Sequence, residues 1–278
     1  MGTAFESWVN DHNIFCNTLV DRIVPGYPQE DAQEMVERIG YKDDLMVMTE
    51  PFHLWIIEGP QSLESEFPIN QTGLDIYFAE DLSPYRTRKV RILNGAHTAM
   101  VPLAYLRGLR TVREAVEDPY IGDFLNKAIY QEVIPTLDLP QDELEKFAQD
   151  VVERFKNPFI KHELKDIALN SVSKFQVRVL PSLLGYYDRK KELPEHLVLS
   201  FAALIVFYRG RYGNEAMPVR DTPEVTEFFK EVWENGNSHS IASRVLANAA
   251  LWQEDLNSIA GLTDLLTEKI SGLLSNDI

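Results

Sequence analysis

Lys89, Asn94 and His97 bring an amine, a carboxamide and an imidazole into the short stretch Lys89-Val-Arg-Ile-Leu-Asn94-Gly-Ala-His97. A neutral amine takes a proton and its ammonium gives one, a carboxamide N–H steadies charge developing on a carbonyl oxygen, and an imidazole serves either purpose. The set suits polarising a carbonyl while a proton moves. At about 100° per residue, separations of five and three place all three within an arc of roughly 140° on one α-helix surface. A lysine becomes a base only where burial or nearby positive charge destabilises its ammonium, and Arg86, Arg88 and Arg91 flank Lys89. The same four cations also read as a solvated helix face. His97, on an apolar stripe with Val90, Leu93 and Val101, also reads as a core histidine satisfied by one hydrogen bond.

Other chemistry-bearing residues are more scattered. Lys174, in Ser171-Val-Ser-Lys174-Phe175, lies between polar and apolar runs and on composition alone is a surface lysine. His162, after Asn157-Pro158, reads as a surface or capping residue. No HxxxH, HExxH or CxxC spacing occurs, so no metal is expected. Neither GxGxxG nor GxxxxGK[ST] occurs in these 278 residues. The single cysteine, Cys16, follows Ile14-Phe15 and is expected to be a small buried residue.

The elements that must position these side chains change character along the chain. Asn17–Val24 reads as an extended run, closed by Pro25-Gly26-Tyr27-Pro28. Asp31–Gly40 suits a helix with a glycine C-cap, and Phe52–Ile57 and Leu74–Ala79 have strand composition. At Ser83-Pro84 a helix-start signal opens a long helical pattern in which Pro102 is expected to introduce a kink. Helices are expected over 121–134, 142–155, 158–169, about 174–184, 194–208, 223–233, and twice between 240 and 274. The boundary therefore falls near residue 84, and a junction between such regions is a favoured place for a ligand cleft.

A net charge of −16 argues against nucleic acid or an anionic membrane surface as the main partner. A local cluster such as Arg86, Arg88, Lys89 and Arg91 still leaves room for a small anionic substrate. The apolar run Leu197–Phe207 is shorter than the ~18 to 20 residues of a membrane span and reads as a buried helix. With one cysteine no intrachain disulfide forms, and the first residues lack the basic and apolar regions of a secretory leader. A cytoplasmic setting is expected.

With Lys89-x4-Asn94-x2-His97 the chain resembles the mannitol dehydrogenase family, the polyol-specific long-chain dehydrogenases, whose K-x4-N-x2-H signature it matches without a gap. Val20-Asp21-Arg22-Ile23-Val24-Pro25 is similar to the family's "VDRI-P" segment, and Thr49-Glu50-Pro51-Phe52 with Trp55 to its next block. Ile92–Thr98, Asn157–His162 and Ala202–Gly210 look like the members that reduce uronate ketones. The likeness runs over nearly the whole chain. It implies a mainly α protein: a helical C-terminal substrate and catalytic domain over residues 85–278, preceded over 1–84 by a small α/β remnant of a Rossmann-type NAD-binding domain.

By the same resemblance, Lys89 is the general acid/base, Asn94 helps hold the oxyanion, His97 orients the substrate, Lys174 contacts the substrate, and Asp21 lies near the nicotinamide end of NAD. The implied substrate is a small sugar acid, since the arginine-rich surroundings suit a carboxylate. Two departures stand out. The family chain is much longer, with its glycine-rich cofactor loop and a second oxyanion asparagine in the part not matched here. Polyol-oxidising members also often carry an arginine about two turns before the lysine matched by Lys174, where this chain has Asp166. A different uronate reductase, a mannitol-type polyol dehydrogenase and a non-catalytic helical binding or assembly module are the other readings.

Overall fold

The β-branched and aromatic runs near residues 17, 54 and 76 form the strands expected of them. In the computed structural model, which describes residues 2–234 and 236–275, β1 (Asn17–Asp21) pairs antiparallel with β2 (Leu54–Glu58), and β2 pairs parallel with β3 (Ile76–Ala79). The register sets Thr18 opposite Ile57 and Trp55 opposite Ile76. Ile56, Ile57 and Ile76 are buried, Ile56 on one face of the sheet and Ile57 and Ile76 on the other. The expected helix at residue 31 forms as Ala32–Ile39 and ends at Gly40, whose φ of 82° is the left-handed cap that glycine adopts without a Cβ penalty. Cys16 is exposed, not buried, because it precedes β1 and lies outside the paired strands.

The chain divides into two compact units, Met1–Lys89 and Val90–Ile278. The second is helical, so the fold is mainly α with a small α/β portion ahead of it. Its centre is built on two helices apolar on every side, Gly95–Leu106 and Glu195–Phe207, a pattern that requires burial all round. All twelve residues of the first are buried. Ser200 Oγ donates to the Ala99 carbonyl at 2.9 Å, joining the pair, and Leu262–Leu274 packs against Glu195–Phe207. Among the described residues no helix is long and apolar enough to cross a membrane.

Two expectations need correction. The run expected to be helical over 158–169 contains only the single turn Leu164–Ile167. Its backbone is taken by a neighbouring segment: Val112 N–H donates to the His162 carbonyl at 2.9 Å, and Leu164 N–H to the Arg110 carbonyl at 2.8 Å. The helix expected over 121–134 starts earlier, at Pro119, where the Asp118 side chain accepts from the Tyr120 and Ile121 N–H groups. It then widens into a π-helix over Ala128–Val133.

Candidate active site

The helical run beginning at Ser83 is not uniform. Lys89–Asn94 is a π-helix, followed by α geometry from Gly95. A π turn takes more residues per revolution than an α turn, so positions five apart come closer to eclipsing than the α-based arc allows. Lys89 and Asn94 are the two ends of that segment. Residues lying at opposite edges of an α-helical arc therefore share a narrower face.

His97 is 5% exposed, inside the fully buried Gly95–Leu106 helix. Its ring lies nearly parallel to that of Phe155, with centroids 4.0 Å apart and planes at 21°, while His162 meets it edge-on at 5.2 Å. The Nε2 atom is buried without a hydrogen-bond partner. An unpaired buried polar atom costs about 1–3 kcal/mol, so it marks a point where a polar ligand atom is favoured. Burial, reinforced by the charges of His162, Arg178, Arg154 and Lys174, holds the imidazole well below its ordinary 6.5. At neutral pH the ring is uncharged, one nitrogen donating and the other accepting.

Around it, Asn94 is half-buried, and no hydrogen bond among the described residues involves its carboxamide. Its backbone carbonyl accepts from Thr98 Oγ1 at 2.8 Å. Lys174 stands on the Ser171–Arg178 helix, half-buried, with Nζ donating to the Ile167 carbonyl at 2.8 Å. Burial and then Arg178 lower its pKa, while Asp221 opposes them. It is thus not the solvated surface lysine that composition allows.

Two residues of this neighbourhood escape the sequence reading. His162, expected at the surface or in a cap, is half-buried against His97, and burial lowers its pKa. Arg178, one turn after Lys174, reaches Thr98. The available signal for Arg178 is only its i+4 spacing from Lys174.

In the first unit, Lys89 is half-buried and its Nζ donates to the Val20 carbonyl of β1. The next residue, Asp21, is 1% exposed, so the structure brings Lys89 to the end of the strand that carries Asp21. Glu50, also buried, accepts from Ile23 N–H at 2.6 Å and fixes the turn after β1. The cationic cluster expected at 86–91 disperses. Arg86 is exposed, Arg88 lies 5.7 Å from the Tyr85 ring centroid, and Arg91 donates to Ser182 Oγ at 3.1 Å.

Against a nicotinamide dinucleotide these residues fit only in part. A pyrophosphate cradle needs a glycine-rich turn between a strand and a helix. The sequence contains no such motif, and β2–β3 is the one parallel pair in the three-stranded sheet. Asp21 stands buried at the end of β1.

Residues 81–274 match the family domain described as the mannitol dehydrogenase C-terminal domain, and residues 1–71 match the mannitol dehydrogenase Rossmann domain. The chain belongs to the mannitol dehydrogenase family. Its relatives include the altronate oxidoreductase of Bacillus subtilis (strain 168), 51% identical over 94% of this chain and 53% of the relative. That of Yersinia pestis is 44% identical over 98% of this chain and 57% of the relative. The chain thus spans about half the length of the relatives it matches. A similar fold is found in Pseudomonas fluorescens mannitol 2-dehydrogenase, whose structure is a ternary complex with NAD and D-mannitol. The TM-score is 0.81 at 24% identity, covering 98% of this chain and 54% of that one.

Proposed function

We propose that this chain supplies the substrate half of an NAD-dependent oxidoreductase that interconverts tagaturonate and altronate in cytoplasmic hexuronate breakdown. On this reading residues 1–84 are the closing part of the cofactor domain and residues 85–278 the substrate domain. The observation that carries it is the His97 imidazole, uncharged, buried and unpartnered at Nε2 within the K-x4-N-x2-H spacing. Similarity to altronate oxidoreductases at 44–51% identity supports the choice of substrate.

When bound, the nicotinamide supplies the hydride. The chain's own residues do the rest. The Lys89 ammonium gives a proton to the ketone oxygen in reduction, and its neutral amine takes it back in oxidation. The Asn94 carboxamide donates to the same oxygen as charge develops. His97 Nε2 holds a substrate oxygen, and its neutral state lets it do so without competing for the proton Lys89 transfers. Lys174 contacts the substrate, and Asp21 borders the nicotinamide.

Lys89→Ala in the complete protein should abolish turnover of tagaturonate while leaving NADH binding intact; turnover near the wild-type rate removes Lys89 from this role. A panel of tagaturonate, fructuronate and fructose separates the proposed reaction from a fructuronate reductase and a mannitol-type dehydrogenase. The non-catalytic alternative is favoured for the isolated polypeptide by the absence of a phosphate loop in its sequence. Saturable NADH binding to this chain, followed by fluorescence, would count against that alternative.

A further inference from the structure

Arg178 is half-buried on the last turn of the Ser171–Arg178 helix. Among the described residues its one side-chain hydrogen bond is long, Nη1 to Thr98 Oγ1 at 3.4 Å. Among the described residues no carboxylate pairs with it, and the acids of its neighbourhood are engaged elsewhere. Asp221 accepts from the Tyr208 hydroxyl and from Thr222 N–H. Asp166, exposed, pairs with Arg220 at 3.3 Å, and Arg220 also donates to the Lys165 carbonyl at 2.6 Å. A cation taken partly out of water with no counter-ion is costly unless a ligand provides one.

The backbone under Arg178 is fixed against the His97 helix. A Cβ at Gly95 would lie 3.2 Å from the Arg178 carbonyl oxygen, so the close approach there depends on glycine. Thr98 Oγ1 donates to the Asn94 carbonyl at 2.8 Å, which turns its lone pairs toward the guanidinium. Lys174, one helical turn earlier, adds a second half-buried cation on the same helix. A planar guanidinium fork matches a carboxylate in two parallel hydrogen bonds, with a point-charge ammonium beside it.

We infer that Arg178, assisted by Lys174, is the seat of the ligand's carboxylate beside His97, and that this pair selects sugar acids over neutral sugars. The inference deepens the proposed function, resting on its choice of a uronate.

The test is calorimetric titration of the 278-residue chain with gluconate, sorbitol and inorganic phosphate, using wild type, Arg178→Gln and Arg178→Lys. Gluconate should bind saturably, and Arg178→Gln should weaken it about 10- to 100-fold, the loss expected for a charged hydrogen bond. Arg178→Lys, which keeps the charge without the fork, should fall between, and sorbitol should be indifferent to both variants. No gluconate binding to wild type, or equal binding to all three forms, overturns the assignment. So does phosphate binding more tightly than gluconate and lost in Arg178→Gln, which would make the seat a phosphate site of the cofactor. In the complete protein, Arg178→Gln should raise KM for the uronate ketone with little change in kcat or in KM for NADH. If gluconate binds through Arg178 but no uronate ketone is reduced, the proposed reaction falls and the carboxylate seat stands. Turnover of a uronate ketone with an unchanged KM in Arg178→Gln does the reverse.

Discussion

In Val90–Ile278 the large apolar side chains pack on one another. Phe175, Phe201 and Trp252 form a three-way ring contact with centroids 4.7, 5.0 and 6.2 Å apart, and all are nearly excluded from water. In Met1–Lys89 the same residue types face solvent: Trp8 is 53% exposed, Phe15 75% and Leu45 88%. Among the described residues of the first unit, the buried hydrophobic side chains are Ile56, Ile57, Ile76 and Leu82, beside the acids Asp21 and Glu50. A three-stranded sheet with a parallel pair is ordinarily covered on both faces. The contrast separates the residues proposed for function by the kind of support each has within its own unit. His97, Lys174 and Arg178 are tuned by burial in a dense helical core, whereas Lys89 and Asp21 depend on the end of one strand in a thinly covered unit.

Removing an aromatic ring from each unit sharpens this contrast most. Phe201→Ala should cost about 3–5 kcal/mol through lost burial and a residual cavity. Trp8→Ala, on an exposed helix, should cost under about 0.5 kcal/mol. Urea unfolding followed by circular dichroism compares them directly, and similar costs would erase the distinction between the units.

A smaller effect is expected at a buried polar staple of the helical unit. Glu132, 4% exposed, accepts from His196 N–H at 2.9 Å, Leu197 N–H at 2.8 Å and His196 Nδ1 at 2.7 Å, closing the start of the Glu195–Phe207 helix. Glu132→Ala leaves those donors unpaired and should cost about 2–3 kcal/mol. Faster hydrogen exchange at the His196 and Leu197 amides should accompany the fall in Tm. Unchanged exchange there would mean that other groups cap the helix.

The smallest expected effect is the pH dependence set by His97. Its folded pKa lies below the 6.5 of the unfolded chain, chiefly through burial. Between those two values the unfolded chain binds the extra proton. Stability is therefore full above about pH 6.5 and declines as pH drops toward the folded value, by at most about 1.4 kcal/mol per pH unit. His162, also lowered by burial, contributes in the same direction. His97→Phe should flatten the decline of Tm between pH 6.5 and 5. An unaltered slope would assign it to other groups.

The helical body was legible because its signals are local. The continuous apolar run ending at Phe207 becomes the buried Glu195–Phe207 helix, and the glycine at 40 becomes a left-handed cap. The Lys89, Asn94 and His97 spacing was legible as a motif, but its geometry was not: α periodicity gives no hint of a π segment over Lys89–Asn94. The 158–169 run departs from its helix signals for a different reason. Helix signals describe what a segment does alone, and here its backbone is claimed by residues 110–112, some fifty positions earlier.

The sequence by itself determined which side chain types fall in the Lys89–His97 stretch, the mixed α/β start followed by a helical body, and the family to which the chain belongs. Only the tertiary structure decided which cations lie beside His97. Charge density along the chain points to 86–91, where neighbours are counted by position. There Arg88, Lys89 and Arg91 turn to separate neighbours and Arg86 is exposed, whereas Arg178 and Lys174 come to His97 through helix packing against Gly95. Burial sets the charge state of an imidazole and leaves a guanidinium without a counter-ion, and burial is a property of what the fold brings together.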